Sequence, residues 1–271
     1  MEIVLSLLRF NKERGLMLDI KDKIQLYKGD CLETMKDISD SSVDMILCDL
    51  PYGKTACKWD NAISFDKLWE QYNRIVKNNG AIVLFAAQPF TSVLVNSNIK
   101  GYKHHWVWEK NRGTGFQLAK YRPMMATEDI IAFTKKGGRI NYYPIMVKRD
   151  KPRFIETGTY SHSPINPLAN FDNNFKKVYT HRYPTNIIKI NRVEKPMHPT
   201  QKPVKLLEYL IRTYSKEGEV VLDNCMGSGS TGIACLTTNR LFIGIEKDNE
   251  YFDIACNRIN EYIKTEIAGK E

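Results

Sequence analysis

The sequence predicts an α/β protein built on a parallel-rich sheet, and three observations predict it. Short apolar runs that read as buried strands alternate with segments of helical spacing. One run, VDMILC (Val43 to Cys48), is closed by Asp49-Leu50-Pro51-Tyr52. Another, EVVLD (Glu219 to Asp223), runs straight into the Gly-rich turn NCMGSGSTG. Both place polar groups at the carboxyl end of a strand, where open α/β sheets hold their ligands.

The elements follow in order. IQLYKGD (Ile24 to Asp30) reads as a strand ending in a Gly-Asp turn. Cys31 to Ile38 is a short amphipathic helix, and VDMILC is the next strand. Phe65, Leu68, Trp69, Tyr72, Ile75 and Val76 recur at helical spacing, and Asn78-Asn79-Gly80 is expected to end that helix. AIVLF (Ala81 to Phe85), HHWVWEK (His104 to Lys110) and DIIAFTK (Asp129 to Lys135) are further strands. Arg139 to Lys195 holds Pro144, Pro152, Pro164, Pro167 and Pro184, shows no clear period and reads as an irregular insertion. Pro203, Leu206, Leu207, Leu210, Ile211 and Tyr214 then mark an amphipathic helix with Pro at its start. A helix from about Thr231, the strand LFIGIE (Leu241 to Glu246) and a helix from Asn249 complete the pattern. The expected organisation is one domain in two halves, 17–138 and 196–271, interrupted by the insertion 139–195.

The chain has 271 residues, 42% hydrophobic and 26% charged, which is ordinary for a globular protein of one large domain. No apolar run approaches the roughly 20 residues that span a bilayer. The start, MEIVLSLLRFNKERGL, carries Glu2 and no small-residue cleavage site, so it reads as neither signal nor anchor, and Met17 is an alternative start. The six cysteines show no C-x-x-C spacing. A reduced, cytoplasmic protein with no metal site is expected. The net charge of +9 is concentrated: 11 Lys/Arg face 4 Asp/Glu between Arg139 and Lys195, against 29 and 27 elsewhere. A basic segment inside a nearly neutral body points to a polyanionic partner.

The two strand ends carry the chemistry. The Asp49 carboxylate can accept from an amine. Pro51 holds Leu50 extended, so the Leu50 carbonyl can accept as well. Tyr52 offers a flat face to a ring. In the second turn, Gly227, Gly229 and Gly232 satisfy G-x-G-x-x-G, and Glu246 closes the next strand as an acid able to take ribose hydroxyls. A nicotinamide oxidoreductase fits this pattern too. Against it, Asp223 would repel a pyrophosphate yet pair with an ammonium, and the 25 residues after Glu246 cannot complete a doubly wound sheet.

In order along the chain stand Gly29-Asp30, Asp49-Leu50-Pro51-Tyr52-Gly53, a variable basic region, His198-Pro199-Thr200-Gln201-Lys202-Pro203, Asp223 to Gly229, and Glu246. In these pieces the chain resembles the β group of amino DNA methyltransferases, in which the catalytic motif precedes the cofactor motif. The resemblance runs from about Ile24 to Ala255. It implies a Rossmann-like, S-adenosylmethionine-dependent methyltransferase fold with circularly permuted motif order and a target-recognition insertion. It also implies transfer of a methyl to the exocyclic amine of a flipped-out base in double-stranded DNA. Asp49 and the Leu50 carbonyl would then accept the two N–H bonds, and Tyr52 would stack on the base. Asp223, Gly227 and Gly229 would line the methionine part of the cofactor, Glu246 the ribose, and Asp30 the adenine. Thr200 and Lys202 would approach the cofactor carboxylate, with helix capping the alternative for Lys202. Trp59 and Asp60 would order the catalytic loop, with packing and capping as their alternative.

Lys148, Arg149 and Arg153 are the candidates for DNA phosphates, and Asn141, Tyr142, Tyr143, Asn173 and Asn174 for base reading. A second copy of the chain and a cognate restriction endonuclease are the other partners in view; a membrane is not. The chain departs from the family at Leu50, usually Pro, and at Asn224-Cys225, usually Pro-Phe. Asp at position 49 favours adenine N6 over cytosine N4. A catalytically silent DNA-binding relative and RNA or protein amide acceptors are the remaining alternatives.

Overall fold

The computed structural model describes residues 8–11, 16–19, 23–52, 63–135, 137–156, 176–194 and 201–268. The elements are β1 (Leu8–Asn11), β2 (Leu16–Asp19), β3 (Ile24–Lys28), α1 (Cys31–Thr34), β4 (Val43–Cys48), α2 (Phe65–Ile75), β5 (Val76–Ala86), α3 (Phe90–Ser97), β6 (Tyr102–Thr114) and β7 (Met125–Phe133). They continue with β8 (Val147–Glu156), β9 (Lys176–Arg182), β10 (Ile187–Lys189), α4 (Val204–Tyr214), β11 (Val220–Asp223), α5 (Ser230–Thr237), β12 (Leu241–Glu246) and α6 (Asn249–Ala268). Two compact units result, 1–143 with 186–271, and 144–185.

The larger unit carries one sheet in the order β1-β2-β3-β12-β11-β4-β5-β7-β6-β10. Strands β3, β12, β11, β4 and β5 are mutually parallel. Strand β7 runs antiparallel to both β5 and β6. All six residues of β4 are buried, as a strand covered on both faces requires. Met45 and Leu47 join a core with Leu206, Leu210, Ala234 and Phe252, so α4, α5 and α6 cover one face. Ile46 and Cys48 join Met35, Leu68, Tyr72 and Leu94, so α1, α2 and α3 cover the other. This is the α/β layering that the strand and helix alternation predicted.

Two local expectations need correction, and one helix was not expected. Asn78-Asn79-Gly80 does not cap α2. The helix stops at Ile75, and Val76 is already extended, buried and paired with Val43. Burial and the ladder outweigh the cap signal. The Asn-Asn-Gly stretch lies in β5 where the register against β4 shifts. Gly80 is required there, because a Cβ would stand 2.8 Å from the Asp44 carbonyl oxygen. Helix α3 had no sequence signal; its β-branched residues Thr91, Val93 and Val95 are poor helix formers, and burial of Phe90, Thr91 and Leu94 holds it. Finally, the segment read as irregular contains regular structure. Strand β10 extends the main sheet, and β8 and β9 form a two-stranded antiparallel ribbon. The side chains of Val147, Phe154 and Val178 on the ribbon are exposed, so no alternation marks it. Pro152 sits where its register shifts, between Lys148 and Arg153.

The unusual Asn224 has a structural account. It is buried and accepts a 2.6 Å hydrogen bond from the Tyr72 hydroxyl, itself buried on α2. The bond ties the residue after β11 to the helix packed beneath it. Tyr72→Phe should leave that carbonyl buried and unsatisfied, at about 1–3 kcal/mol. Chemical denaturation should show the loss, and an unchanged midpoint would refute the account.

Candidate functional site

Parallel pairing of β11 with β4, Val221 opposite Met45 and Leu222 opposite Ile46, brings the two predicted constellations side by side. Asp223 closes one strand, and Asp49 follows the end of its neighbour. Strand β12 lies beyond β11 and ends in Glu246; β3 lies beyond β12 and leads to Gly29 and Asp30. Four parallel strand ends therefore present Asp30, Glu246, Asp223 and Asp49 along one edge. They line one cavity of about 520 Å³, together with Leu50, Pro51, Tyr52, Lys202, Gly227 and Thr231. That volume suits a ligand of several hundred daltons.

The Gly-rich turn is built for close approach. Gly227 and Gly229 have φ of 51° and 76°, left-handed values that other residues adopt at a cost; Gly227 lines the cavity, whereas Gly229, expected there, lies against α6, where a Cβ would meet Ala255 at 3.0 Å. Gly232 serves packing instead, since a Cβ there would meet Ile259 at 2.7 Å and Phe242 at 2.9 Å. From α6, Arg258 donates to the Ser228 carbonyl and, at 2.9 Å, to its hydroxyl, which fixes the turn.

The acids are held differently. Asp223 accepts from the Thr231 hydroxyl at 2.6 Å and the Cys225 N–H at 3.2 Å. Burial pushes its carboxyl up to about 7. No cation faces it among the described residues, so an ammonium is the group it lacks. Glu246 accepts from the N–H of Gly227 and of Asp248, both at 2.8 Å. Each of its oxygens keeps a lone pair for a hydroxyl, and burial raises its carboxyl too. Asp30 caps α1 by accepting from the Leu32 N–H at 3.0 Å and pairs with Lys247 at 3.0 Å. Partial burial works against its charge, but those partners hold its carboxyl below the usual range.

The Asp49 carboxylate has neighbours that its motif did not reveal. Lys202 donates to Asp49 at 2.6 Å and pairs with Glu128 at 2.9 Å; Lys110 pairs with Glu128 at 2.8 Å. Two ammoniums and two carboxylates thus form a neutral group, of which Asp49 and Lys202 line the cavity. Lys202 is nearly buried and does not cap α4. Burial opposes its charge, yet Asp49 and Glu128 outweigh it and hold the ammonium protonated. Burial also acts on both acids, with different outcomes. Glu128 has both cations and stays below its ordinary value. Asp49 shares one cation and feels Glu128, so its carboxyl is raised. The Tyr52 hydroxyl donates to Asp49 at 2.9 Å, and its ring stacks on Phe90 at 4.6 Å. Phe90 fixes the plane of the ring expected to meet a base.

Thr200, Trp59, Asp60, Asn173 and Asn174 lie outside the described residues. Leu50 is buried, and its side chain packs with the α1–α3 face of the core. Tyr142 joins a ring cluster with His104, Trp106 and Tyr214, and Tyr143 donates its N–H to Thr213. Both therefore belong to the larger unit. Lys148 and Arg153 are exposed on the ribbon, and Arg149 donates to the His181 carbonyl at 3.2 Å. Glu128, Lys110 and Phe90 were missed. The signal for the first two was an acid and a lysine at the polar ends of two adjacent apolar strands.

A family model described as DNA methylase matches residues 43–257. The type II methyltransferase M.HpaI of Haemophilus parainfluenzae is 29% identical over 249 residues, 87% of this chain and 74% of the relative. The DNA adenine methyltransferase YhdJ of Escherichia coli K12 is 29% identical over 256 residues, 86% and 81% of the two chains. The M1.HpyAVI–SAM complex superposes with a TM-score of 0.57 at 28% identity, covering 87% of this chain and 99% of that one. The cytosine-N4-specific PvuII DNA methyltransferase, 17% identical with a TM-score of 0.63, shares the fold. The matched span takes in Asp49 and Glu246 alike, and on that match the chain belongs to the DNA methylase family.

Proposed function

We propose that the protein is a DNA methyltransferase that modifies the exocyclic amine of a flipped-out base, adenine N6, using S-adenosylmethionine. The observation that carries the proposal is the shared cavity. Asp49 and the turn residues Gly227 and Ser228 line the same 520 Å³ space, so an acceptor amine and a donor can meet there.

When bound, S-adenosylmethionine supplies an electrophilic methyl group on a sulfonium. The residues present fit it. Asp223 holds the ammonium of its methionine part, completing an uncompensated carboxylate. Glu246 would take the ribose hydroxyls on its free lone pairs, and Asp30, on the same cavity wall, would serve the adenine. Lys202 is committed to Asp49 and Glu128, so its part is to hold Asp49 rather than the cofactor carboxylate.

On the acceptor side, Asp49 and the Leu50 carbonyl accept the two N–H bonds of the amine. This raises electron density on nitrogen and directs its lone pair. Alignment of that kind removes several kcal/mol from a barrier. Lys202 and Tyr52 fix the carboxylate from two sides. Asp49 needs little basicity, because the alkylated amine sheds its proton readily. The exposed cations Lys148 and Arg153, with Arg149, hold phosphates of double-stranded DNA. The proposal requires neither a second copy of the chain nor a restriction partner. Asp at position 49 and the likeness to YhdJ support adenine.

Labelled S-adenosylmethionine with unmethylated genomic DNA should place label in N6-methyladenine on nucleoside analysis. Asp49→Ala should lower transfer roughly a hundredfold or more while sparing cofactor binding. Label in N4-methylcytosine would change the base, and normal turnover in the variant would sink the mechanism.

The raised Asp223 carboxyl gives a second expectation. Pairing with an ammonium favours the ionised acid, so below about pH 7 cofactor binding must expel a proton. Affinity should therefore rise between pH 6 and pH 8. Calorimetry in buffers of different ionisation enthalpy should show proton release at the lower pH that fades at the higher. Asp223→Asn should abolish that release; release that persists would assign it to another group.

The neutral group beneath the site gives a third. Asp49 must be ionised to accept, so activity falls as pH drops through its raised value. Lys202→Gln removes its cation and should move that acid limb up. Glu128→Gln removes a like charge and frees Lys202, so the limb should move down. A pH profile of kcat/KM that merely scales, without moving, would reduce the network to a structural role.

A further inference from the structure

The far end of β6 and its connection to β7, Asn111 to Met124, have no part in the chemistry above. This segment leaves the sheet at the catalytic edge, because β7 runs antiparallel to β5 and Asp129 stands opposite Ala86. Ion pairs link its base to the reacting carboxylate: Lys110 to Glu128, Glu128 to Lys202, Lys202 to Asp49. Its tip is ordered by its own backbone. Gly115, at φ 86°, opens a 3-10 turn over Phe116–Leu118. The N–H groups of Leu118, Ala119, Tyr121 and Arg122 find carbonyls within the turn, and Thr114 pairs with Met125.

On this frame Phe116 and Tyr121 are 79% and 85% exposed, with Leu118 and Met124 exposed beside them. A rigid turn that holds large apolar groups in water marks a binding surface. Its charge names the partner. Asn111 to Thr127 contains no acid but carries Arg112, Lys120 and Arg122. None of the three is in an ion pair among the described residues. Cations around an apolar tip suit a polyanion with an apolar interior, which is what a base-paired duplex presents.

We propose that this β6–β7 tongue is a DNA wedge: Arg112, Lys120 and Arg122 engage phosphates, while Phe116 and Tyr121 enter the stack beside the base drawn to Asp49. Extruding a base forfeits its stacking, and an aromatic ring in the gap restores part of it. The inference rests on the methyltransferase reading of the same site and adds the means by which the base is released.

Sites methylated by the wild type on unmethylated genomic DNA are mapped first, and duplexes are made with 2-aminopurine at the target. Wild-type protein should raise the fluorescence of that base. The Phe116→Ala/Tyr121→Ala variant should lose the rise and at least tenfold in kcat/KM for duplex DNA, with unchanged cofactor binding and thermal stability. Both side chains are exposed, so the fold does not depend on them. A variant with full fluorescence and transfer within twofold of wild type overturns the wedge alone. A variant that alters the oligomeric state but still flips the base overturns it too, and makes the tongue a self-association face. Wild-type protein that labels no DNA overturns the methyltransferase reading itself.

Discussion

Everything in the site depends on the parallel pairing of β4 with β11. The two strands are about 175 residues apart in sequence, yet Leu222 lies opposite Ile46. Without that pairing the acceptor and donor constellations belong to different ends of the chain. With it, one edge gathers four acids in spatial order, and each finds a different electrostatic setting. The two sheet faces secure the pairing, because β4 is buried along its whole length and no shift of register leaves its apolar set in place.

The strand ends set geometry, and local partners set charge. Asp223 and Asp49 are both buried carboxylates beside the same cavity. One lacks a cation and titrates near neutrality. The other is held by an ammonium it must share with Glu128. The first suits a site that waits for a positively charged ligand. The second suits a site that must present an acceptor of fixed direction. Tyr52, locked between Asp49 and Phe90, is positioned by the same economy of contacts.

Much of this was legible in the sequence, and the gaps have physical causes. Buried parallel strands leave unbroken apolar runs, so VDMILC and LFIGIE were plain, and their carboxyl ends pointed to Asp49 and Glu246. Local motifs say nothing about distant partners, so the Lys202 string did not reveal that its ammonium would meet Asp49 and Glu128. Nor did it reveal Phe90, which lies on a helix with weak intrinsic propensity. The ribbon β8–β9 was invisible because its large apolar residues stand in solvent and period-2 alternation reflects burial. Asn78-Asn79-Gly80 misled because a stop signal for a helix can also be a bulge in a strand.

The balanced quartet of Lys110, Glu128, Lys202 and Asp49 has a consequence for how this enzyme family can drift. Replacing Asp49 by an uncharged residue would leave a surplus ammonium at the nearly buried Lys202. Such a charge is costly to keep and must be removed or matched. The residue proposed to meet the acceptor is therefore not free to vary alone. A neutral residue at position 49 calls for a compensating change at Lys202, Glu128 or Lys110, the other members of the group.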